Sequence, residues 1–310
     1  MMLEVVCACD DAYLPHTATM LSSLLAHNQA RIHLLHGAAV SETALQELSN
    51  HVSKRNCRLL TYEIRDQVIE TLRVDQWISN VTYYRLLCAR ILPRELVKVL
   101  YLDSDMIVRA SLNALWQTLT EDCALAAVQE SPKGVARQLA LLGLPPNTPY
   151  FNAGMMLINL AYWREQLVGE RALQFLKQNG DKAEYWDQDA LNVVLDGRWI
   201  PVSAVWNFKA LYENYVIEVR DTDPSIVHFT GPTKPWDWGW RFTSQRFGSE
   251  YHKYRLTTPW REYIPENRPG WGGRCSSYIR FFARQKVPAN LRIWLRTRAA
   301  SLRGLDPGKL

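Results

Sequence analysis

Residues 98–108 read KVLYLDSDMIV. An apolar run from Val99 to Leu102 stops at Asp103-Ser104-Asp105 and resumes as Met106-Ile107-Val108. One Asp at a strand end is ordinary turn chemistry. Two, one residue apart and flanked on both sides by strand-forming residues, repel each other unless a cation lies between them. The stretch therefore predicts a buried strand that delivers two carboxylates to a cation-binding edge.

Working outward, the first hundred residues alternate between strand and helix patterns. Strands are expected at Leu3–Cys9, Arg31–Leu35, Leu59–Ile64 and Val97–Leu102. Helices are expected at Pro15–His27, with proline in the first turn, at Ser41–Val52, with Ser41 as N-cap, and at Val81–Leu92, ending before Pro93. Such alternation predicts an α/β fold whose mostly parallel sheet is covered on both faces. Ligands of these sheets bind beyond the carboxyl ends of the strands. Asp10-Asp11 and Asp103-Ser104-Asp105 both follow apolar strands, so both acidic pairs are expected at one crevice.

Beyond residue 108 the pattern loosens. Ala124–Val128 and Met155–Ile158 read as core strands, and residues 130–150 between them as an irregular Pro-containing insertion. Ala161–Gln178 and Asp187–Leu195 read as helices. A boundary is placed in PENRPGWGG, which divides a catalytic domain, 1–265, from a basic aromatic segment, 266–310. Residues 272–310 hold nine Lys/Arg and one Asp, a net of +8, against +5 for the whole chain, so residues 1–271 carry 5 − 8 = −3. Basic residues interleaved with Phe281, Phe282 and Trp294 suit an anionic membrane surface, with packing on the body as the alternative and nucleic acid not expected. No apolar run reaches the ~18 residues of a membrane span, and the N-terminus lacks a basic signal-peptide segment. A cytoplasmic protein, peripheral on the inner face of the plasma membrane, is expected. The six scattered cysteines form no zinc set and read as reduced core thiols.

The chain has neither the G-x-G-x-x-G turn after its first strand nor a G-x-x-x-x-G-K-[ST] loop, which argues against a standard dinucleotide or P-loop enzyme. Paired Asp supplies hard oxygen ligands suited to Mg²⁺ or Mn²⁺. In IVHFTGPTKPW, 226–236, His228 closes an apolar run, Gly231 permits close backbone approach and Lys234 offers a cation. A nitrogen ligand favours Mn²⁺ over Mg²⁺.

Six motifs in order, CACDDAY (7–13), TYYRLL (82–87), VLYLDSDMIV (99–108), FNAGMMLINL (151–160), DQDALN (187–192) and HFTGPTKPW (228–236), make the chain resemble the family 8 retaining glycosyltransferases. Within that family it is most similar to the bacterial lipooligosaccharide and lipopolysaccharide α-galactosyltransferases. The resemblance implies a GT-A fold, a divalent metal, a UDP-hexose donor carrying galactose or glucose, and a glycan acceptor that is lipid-linked. It implies Asp103, Asp105 and His228 as metal ligands, and Ala8, Asp10 and Tyr13 beside the nucleoside. It implies Arg85, Ser104, Asn152 and Ala153 at the donor, Gly231 and Lys234 at the diphosphate, and Asp187 and Gln188 beneath the transferred sugar. In isolation Asp187 and Gln188 would read as helix-capping residues. Two departures stand out: Ala12 replaces a polar Asn, and Gln129 occupies the place of an acidic contact to the donor sugar. A catalytically silent sugar-nucleotide-binding or glycan-binding protein and a metal-dependent nucleotide-sugar hydrolase are the alternatives.

Overall fold

A computed structural model describes residues 1–74, 79–210, 223–231, 233–238 and 247–264. The segment 266–310, and with it the expected membrane surface and the boundary that sets it apart, lies outside the described residues. The architecture below is that of one compact unit, Met1–Pro235 with Gln245–Tyr263. Of the remaining unit, Trp236–Ser244 with Ile264–Leu310, only residues 236–238 and 264 are described.

Ten strands appear among the described residues: β1 Met2–Cys9, β2 Gln29–His36, β3 Arg58–Glu63, β4 Lys98–Leu102, β5 Met106–Val108, β6 Leu125–Gln129, β7 Phe151–Asn159, β8 Ile200–Val202, β9 Phe208–Lys209 and β10 Ile226–His228. The helices are α1 Leu14–His27, α2 Glu42–Ser53, α3 Gln67–Glu70, α4 Cys88–Ile91, α5 Asn113–Trp116, α6 Pro132–Leu141, α7 Leu160–Glu165, α8 Val168–Asn179, α9 Trp186–Leu195 and α10 Gly248–Arg255. Seven strands form one sheet in the order β3-β2-β1-β4-β7-β6-β8, parallel throughout except where β7 runs against β4 and β6. Successive residues of a strand point to opposite faces. Val5, Leu100 and Leu157 therefore pack under one layer of helices, while Val6, Tyr101 and Met156 pack under the other.

The chain winds from β1 outward to β3 on one side, then returns to β4 on the other side of β1. That reversal opens a crevice at the carboxyl ends of β1 and β4, where Asp10 and the Asp103–Asp105 turn sit. After the turn β5 leaves the large sheet and pairs antiparallel with β10, with His228 opposite Met106, and β9 completes this small sheet.

Three expectations are corrected. Residues 80–87 form a tight 3₁₀ helix before the short α4, not one α-helix over 81–92. The helix expected over 161–178 is two, because Leu167 takes a left-handed conformation with φ 49°. The break lets α8 press on the 3₁₀ segment: a Cβ on Gly169 would lie 2.0 Å from the Leu86 carbonyl oxygen. The insertion 130–150 contains α6, whose first turn is capped by Ser131 Oγ on Gly134 N and whose Val135 and Leu139 bury against Tyr150. The five cysteines among the described residues are free thiols; burial pushes Cys9 and Cys88 up to about 12, so they stay protonated as core residues.

Candidate active site

The three expected ligand residues converge. One ligand atom each from Asp103, Asp105 and His228 lies within 4.8 Å of the others. His228 Nε2 stands 3.2 Å from Asp105 Oδ1 and 3.8 Å from Asp103 Oδ2. The β5–β10 pairing brings His228 there, and the Phe229 N–H donates to the Asp105 carbonyl at 2.9 Å. The hydrogen-bond directions fix the imidazole. Gly154 N–H can only donate, so Asn152 Oδ1 accepts from it at 3.0 Å and from Asn207 Nδ2 at 2.8 Å. Asn207 then presents Oδ1 to His228 Nδ1 at 3.0 Å, which assigns the ring proton to Nδ1. The Nε2 lone pair is left facing two carboxylates, an arrangement that a cation relieves.

Gly154 supplies a second fit. A Cβ there would lie 2.4 Å from His228 Cε1 and 2.8 Å from Asp103 Oδ2, so glycine keeps the space beside these two ligand residues clear. The donor set of two carboxylates and one imidazole, with that space beside them, fits a divalent cation of the Mn²⁺ or Mg²⁺ kind.

Cationic side chains flank the set. Lys234 Nζ donates to Asp105 Oδ2 at 2.6 Å and to the Phe229 carbonyl at 2.8 Å. Although burial opposes ionisation, the Lys234 ammonium holds Asp105 well below the usual carboxylate range. Asp103 goes the other way. Burial raises its pKa, and the attraction of Arg85 does not cancel the effect. Arg85 is buried, donating to Asp103 Oδ1 at 2.9 Å and to the Ala153 carbonyl at 2.7 Å, with its plane over the Tyr101 ring. Its Nε–H donates to the Thr82 carbonyl, so the 3.0 Å approach of Nε to Asp187 Oδ2 is an ion pair without hydrogen-bond geometry. Asp187 Oδ1 accepts from Thr82 Oγ1 at 2.9 Å, and burial pushes its pKa up to about 6.

The remaining expected residues surround this centre. Ala8 is the penultimate residue of β1, and its carbonyl accepts from Ser104 Oγ at 3.0 Å; the same hydroxyl meets Thr17 Oγ1 at 2.7 Å, so Ser104 ties the Asp turn to α1. Asp10 bonds Tyr13 N and Ser79 Oγ, both at 2.9 Å. Gly231 takes φ +91°, a conformation that suits glycine. Asn152 Nδ2 and Ala153 N–H donate to Gln188 Oε1 at 3.1 and 3.0 Å. Neither Asp187 nor Gln188 acts as the cap of α9: the side chain that accepts a bond at the helix start is Asp189, from Tyr185 N–H at 2.7 Å.

Several site residues escaped the sequence reading. Gln129 is exposed, and after a register irregularity between Ala127 and Gln129 it is Glu130 that turns inward, accepting from Asn152 Nδ2 at 3.2 Å and pairing with Lys209. The expected gap in acidic character is thus filled one residue further on. Asn207, Gly154, Tyr150 and Thr82 were likewise missed. Gly154 and Tyr150 lie in or next to the quoted FNAGM motif, which was the available signal; Asn207 and Lys209 had none.

Comparison with known proteins agrees with this geometry. The profile described as Glycosyl transferase family 8 matches residues 4–238. The chain is 26% identical over 278 residues to general stress protein A of Bacillus subtilis, covering 84% of this chain and 95% of that one. It is 24% identical over 279 residues to a lipopolysaccharide 1,2-glucosyltransferase of Escherichia coli K12, covering 86% and 81%. Among solved structures, galactosyltransferase LgtC in complex with donor and acceptor sugar analogs superposes with a TM-score of 0.73 at 26% identity, covering 88% of this chain and 100% of that one. With its mixed, mostly parallel sheet and flanking helices in the GT-A arrangement, the chain belongs to glycosyl transferase family 8.

Proposed function

We propose that this protein moves a hexosyl group, galactose or glucose, from a UDP-sugar to a glycan acceptor with retention of the α-configuration, and that the acceptor is the lipid-linked core of a lipopolysaccharide or lipooligosaccharide. The observation that carries the reading is the converging Asp103, Asp105 and His228 set, with Gly154 keeping the space beside Asp103 and His228 clear. The acceptor class is supported by the names of the relatives. Among the described residues no helix is long and apolar enough to cross a membrane. The basic tail is the segment we assign to the membrane surface, at the cytoplasmic face.

A divalent cation at the triad would neutralise charge on the departing diphosphate more strongly in the transition state than in the ground state. The chain's own groups supply the rest. Lys234 and the glycine turn at Gly231 take the diphosphate, and Lys234 stabilises the negative charge as it grows. Asp10 and Tyr13, at the end of β1, hold the nucleoside. Arg85 lies between Asp103 and Asp187, and Asp187 opposes the positive charge that develops on the sugar ring. Glu130 and Gln188 offer hydrogen bonds to hydroxyls of the hexose, and Asn152 holds both in place.

The test is donor screening of the purified protein with Mn²⁺, using UDP-galactose, UDP-glucose and their N-acetyl forms, followed by NMR of the product. The expected result is an α-linked product from one of the two unmodified hexoses, lost in excess chelator. A β-linked product, or full activity after exhaustive metal removal, would overturn the reading. Release of free hexose with no transfer to any glycan would make the protein a hydrolase.

A further inference from the structure

Behind Gln188 lies a buried group of side chains that the transfer mechanism above does not use. We propose that Asp189 and Tyr150 are positioning residues: they hold the Gln188 amide so that its carbonyl is committed to the protein and one of its N–H bonds is presented to the bound sugar. The inference rests on the transfer reading and specifies how Gln188 serves it.

The directions of the hydrogen bonds carry the argument. Ala153 N–H can only donate, so the Gln188 atom 3.0 Å away is its carbonyl oxygen. Asn152 Nδ2 donates to the same oxygen at 3.1 Å. Both lone pairs of that oxygen are therefore occupied, which removes it as an attacking group. The amide nitrogen faces Tyr150 Oη at 3.2 Å and must donate to it. Tyr150 has one proton and spends it on Asp189 Oδ1 at 2.5 Å. Asp189 Oδ2 is filled from the other side by Gln138 Nε2 on α6 at 2.5 Å and by Tyr185 N–H at 2.7 Å. Asp189, Tyr150, Gln138 and Ala153 are buried, with Asp189 at 0% exposure; Gln188 and Asn152 are half-buried, and the exposed Tyr185 contributes only its main-chain N–H. Among the described residues Tyr150 is the one acceptor for the Gln188 amide nitrogen, so its second N–H is available to a ligand.

The relay runs in one direction only while Asp189 is a carboxylate. Burial is the main influence on Asp189 and pushes it up to about 7, with Asp187 and Glu184 adding repulsion and Tyr150 and the Tyr185 amide opposing them. Glu184 is itself paired with Arg137 of α6, and Glu130 is the further charged group acting on Tyr150. When Asp189 takes up a proton, Tyr150 loses the acceptor for its own proton and the amide loses its fixed partner. Asp189→Asn has a similar effect. Two donors at Oδ2 force the new amide oxygen to that side, so its NH₂ faces Tyr150.

Two measurements test this. In protein labelled with ¹⁵N-glutamine, the Gln188 side-chain NH₂ pair, assigned by its loss in Gln188→Ala, should shift as pH is taken through about 7. The same pair should not titrate in Tyr150→Phe. In transfer assays Asp189→Asn and Tyr150→Phe should each lower kcat about 10- to 100-fold and leave the donor KM within about threefold. In a Gln188→Ala background, Asp189→Asn should lower kcat no further, because its effect passes through Gln188. Effects that multiply in that background, or a Gln188 amide indifferent to pH in a wild type that transfers sugar, would overturn the positioning role. A wild type with the titrating amide that transfers no sugar would instead sink the transfer reading and leave the positioning intact.

Discussion

Replacing Gly154 by alanine puts a methyl group against two of the three ligand residues, His228 and Asp103. Its carbon would sit 2.4 Å from His228 Cε1, 2.9 Å from Nδ1 and 2.8 Å from Asp103 Oδ2. Carbon atoms in contact settle at about 3.5 Å, so the imidazole would have to retreat by about 3.5 − 2.4 = 1.1 Å. It has little room to do so. His228 is paired in the small sheet with Met106 and Lys209, and Asn207 grips its Nδ1. The β7 main chain is no freer, since Gly154 N–H is bonded to Asn152 and the Gly154 carbonyl accepts from Asp103 N–H at 2.9 Å. Metal–ligand distances tolerate only about 0.2 Å. Mn²⁺ affinity should therefore fall by at least the 10- to 100-fold typical of disturbed supporting groups. The overfilled site should also cost about 1–3 kcal/mol of stability. Titration of Mn²⁺ followed by electron paramagnetic resonance of the free ion gives the first number, and urea unfolding of the metal-free protein gives the second. A folded variant with Mn²⁺ affinity within about threefold of wild type would refute the assignment of this space to a cation.

Arg85→Met should remove the cation between the half-buried Asp103 and the buried Asp187, and lower the stability of the metal-free protein by about 3–5 kcal/mol in urea unfolding. Because Asp189 is raised from 3.8 to about 7, the folded protein binds a proton that the unfolded chain has lost. Its contribution to stability is present below 3.8 and is lost as pH rises through 7, so Asp189→Asn should flatten the upper part of the Tm-versus-pH curve; an unchanged curve would count against a buried, shifted carboxyl. Removal of residues 274–310 should leave transfer to a soluble sugar largely intact but abolish co-sedimentation with anionic vesicles, and salt should release the full-length protein. Equal binding by both forms, or binding that salt does not change, would show that the tail does not serve the membrane.

Much of this site is legible in the chain because its chemistry is local. The spacing of Asp103 and Asp105 announces mutual repulsion wherever the strand goes. The strand-and-helix alternation of residues 3–102 follows from side-chain periods of two and 3.6, which depend only on neighbours in sequence. Apart from the segment 80–92, those elements appear where expected. The misreadings at 80–92 and 160–179 came where local pattern and packing disagree: a left-handed Leu167 has no signature in sequence, and it persists because α8 must lie close against Leu86. The cap of α6, Ser131 followed by Pro132, was readable and was passed over.

What the amino-acid sequence determined alone is the inventory: a strand that delivers two carboxylates, a distant histidine beside glycine and lysine, and an Asp-Gln pair at a helix start. What only the tertiary structure decided is the partner of each polar group. The register of β10 on β5 places His228 beside Asp105, and a slip of one residue would turn it to the other face. An irregularity between Ala127 and Gln129 brings Glu130, not Gln129, into the site. Asn207 is a single polar residue with no local pattern around it, and Tyr150 only adjoins the FNAGM motif. Their functions arise from hydrogen bonds to residues that neighbour them in space and not in sequence, and the direction of each bond is set by a backbone N–H that can only donate.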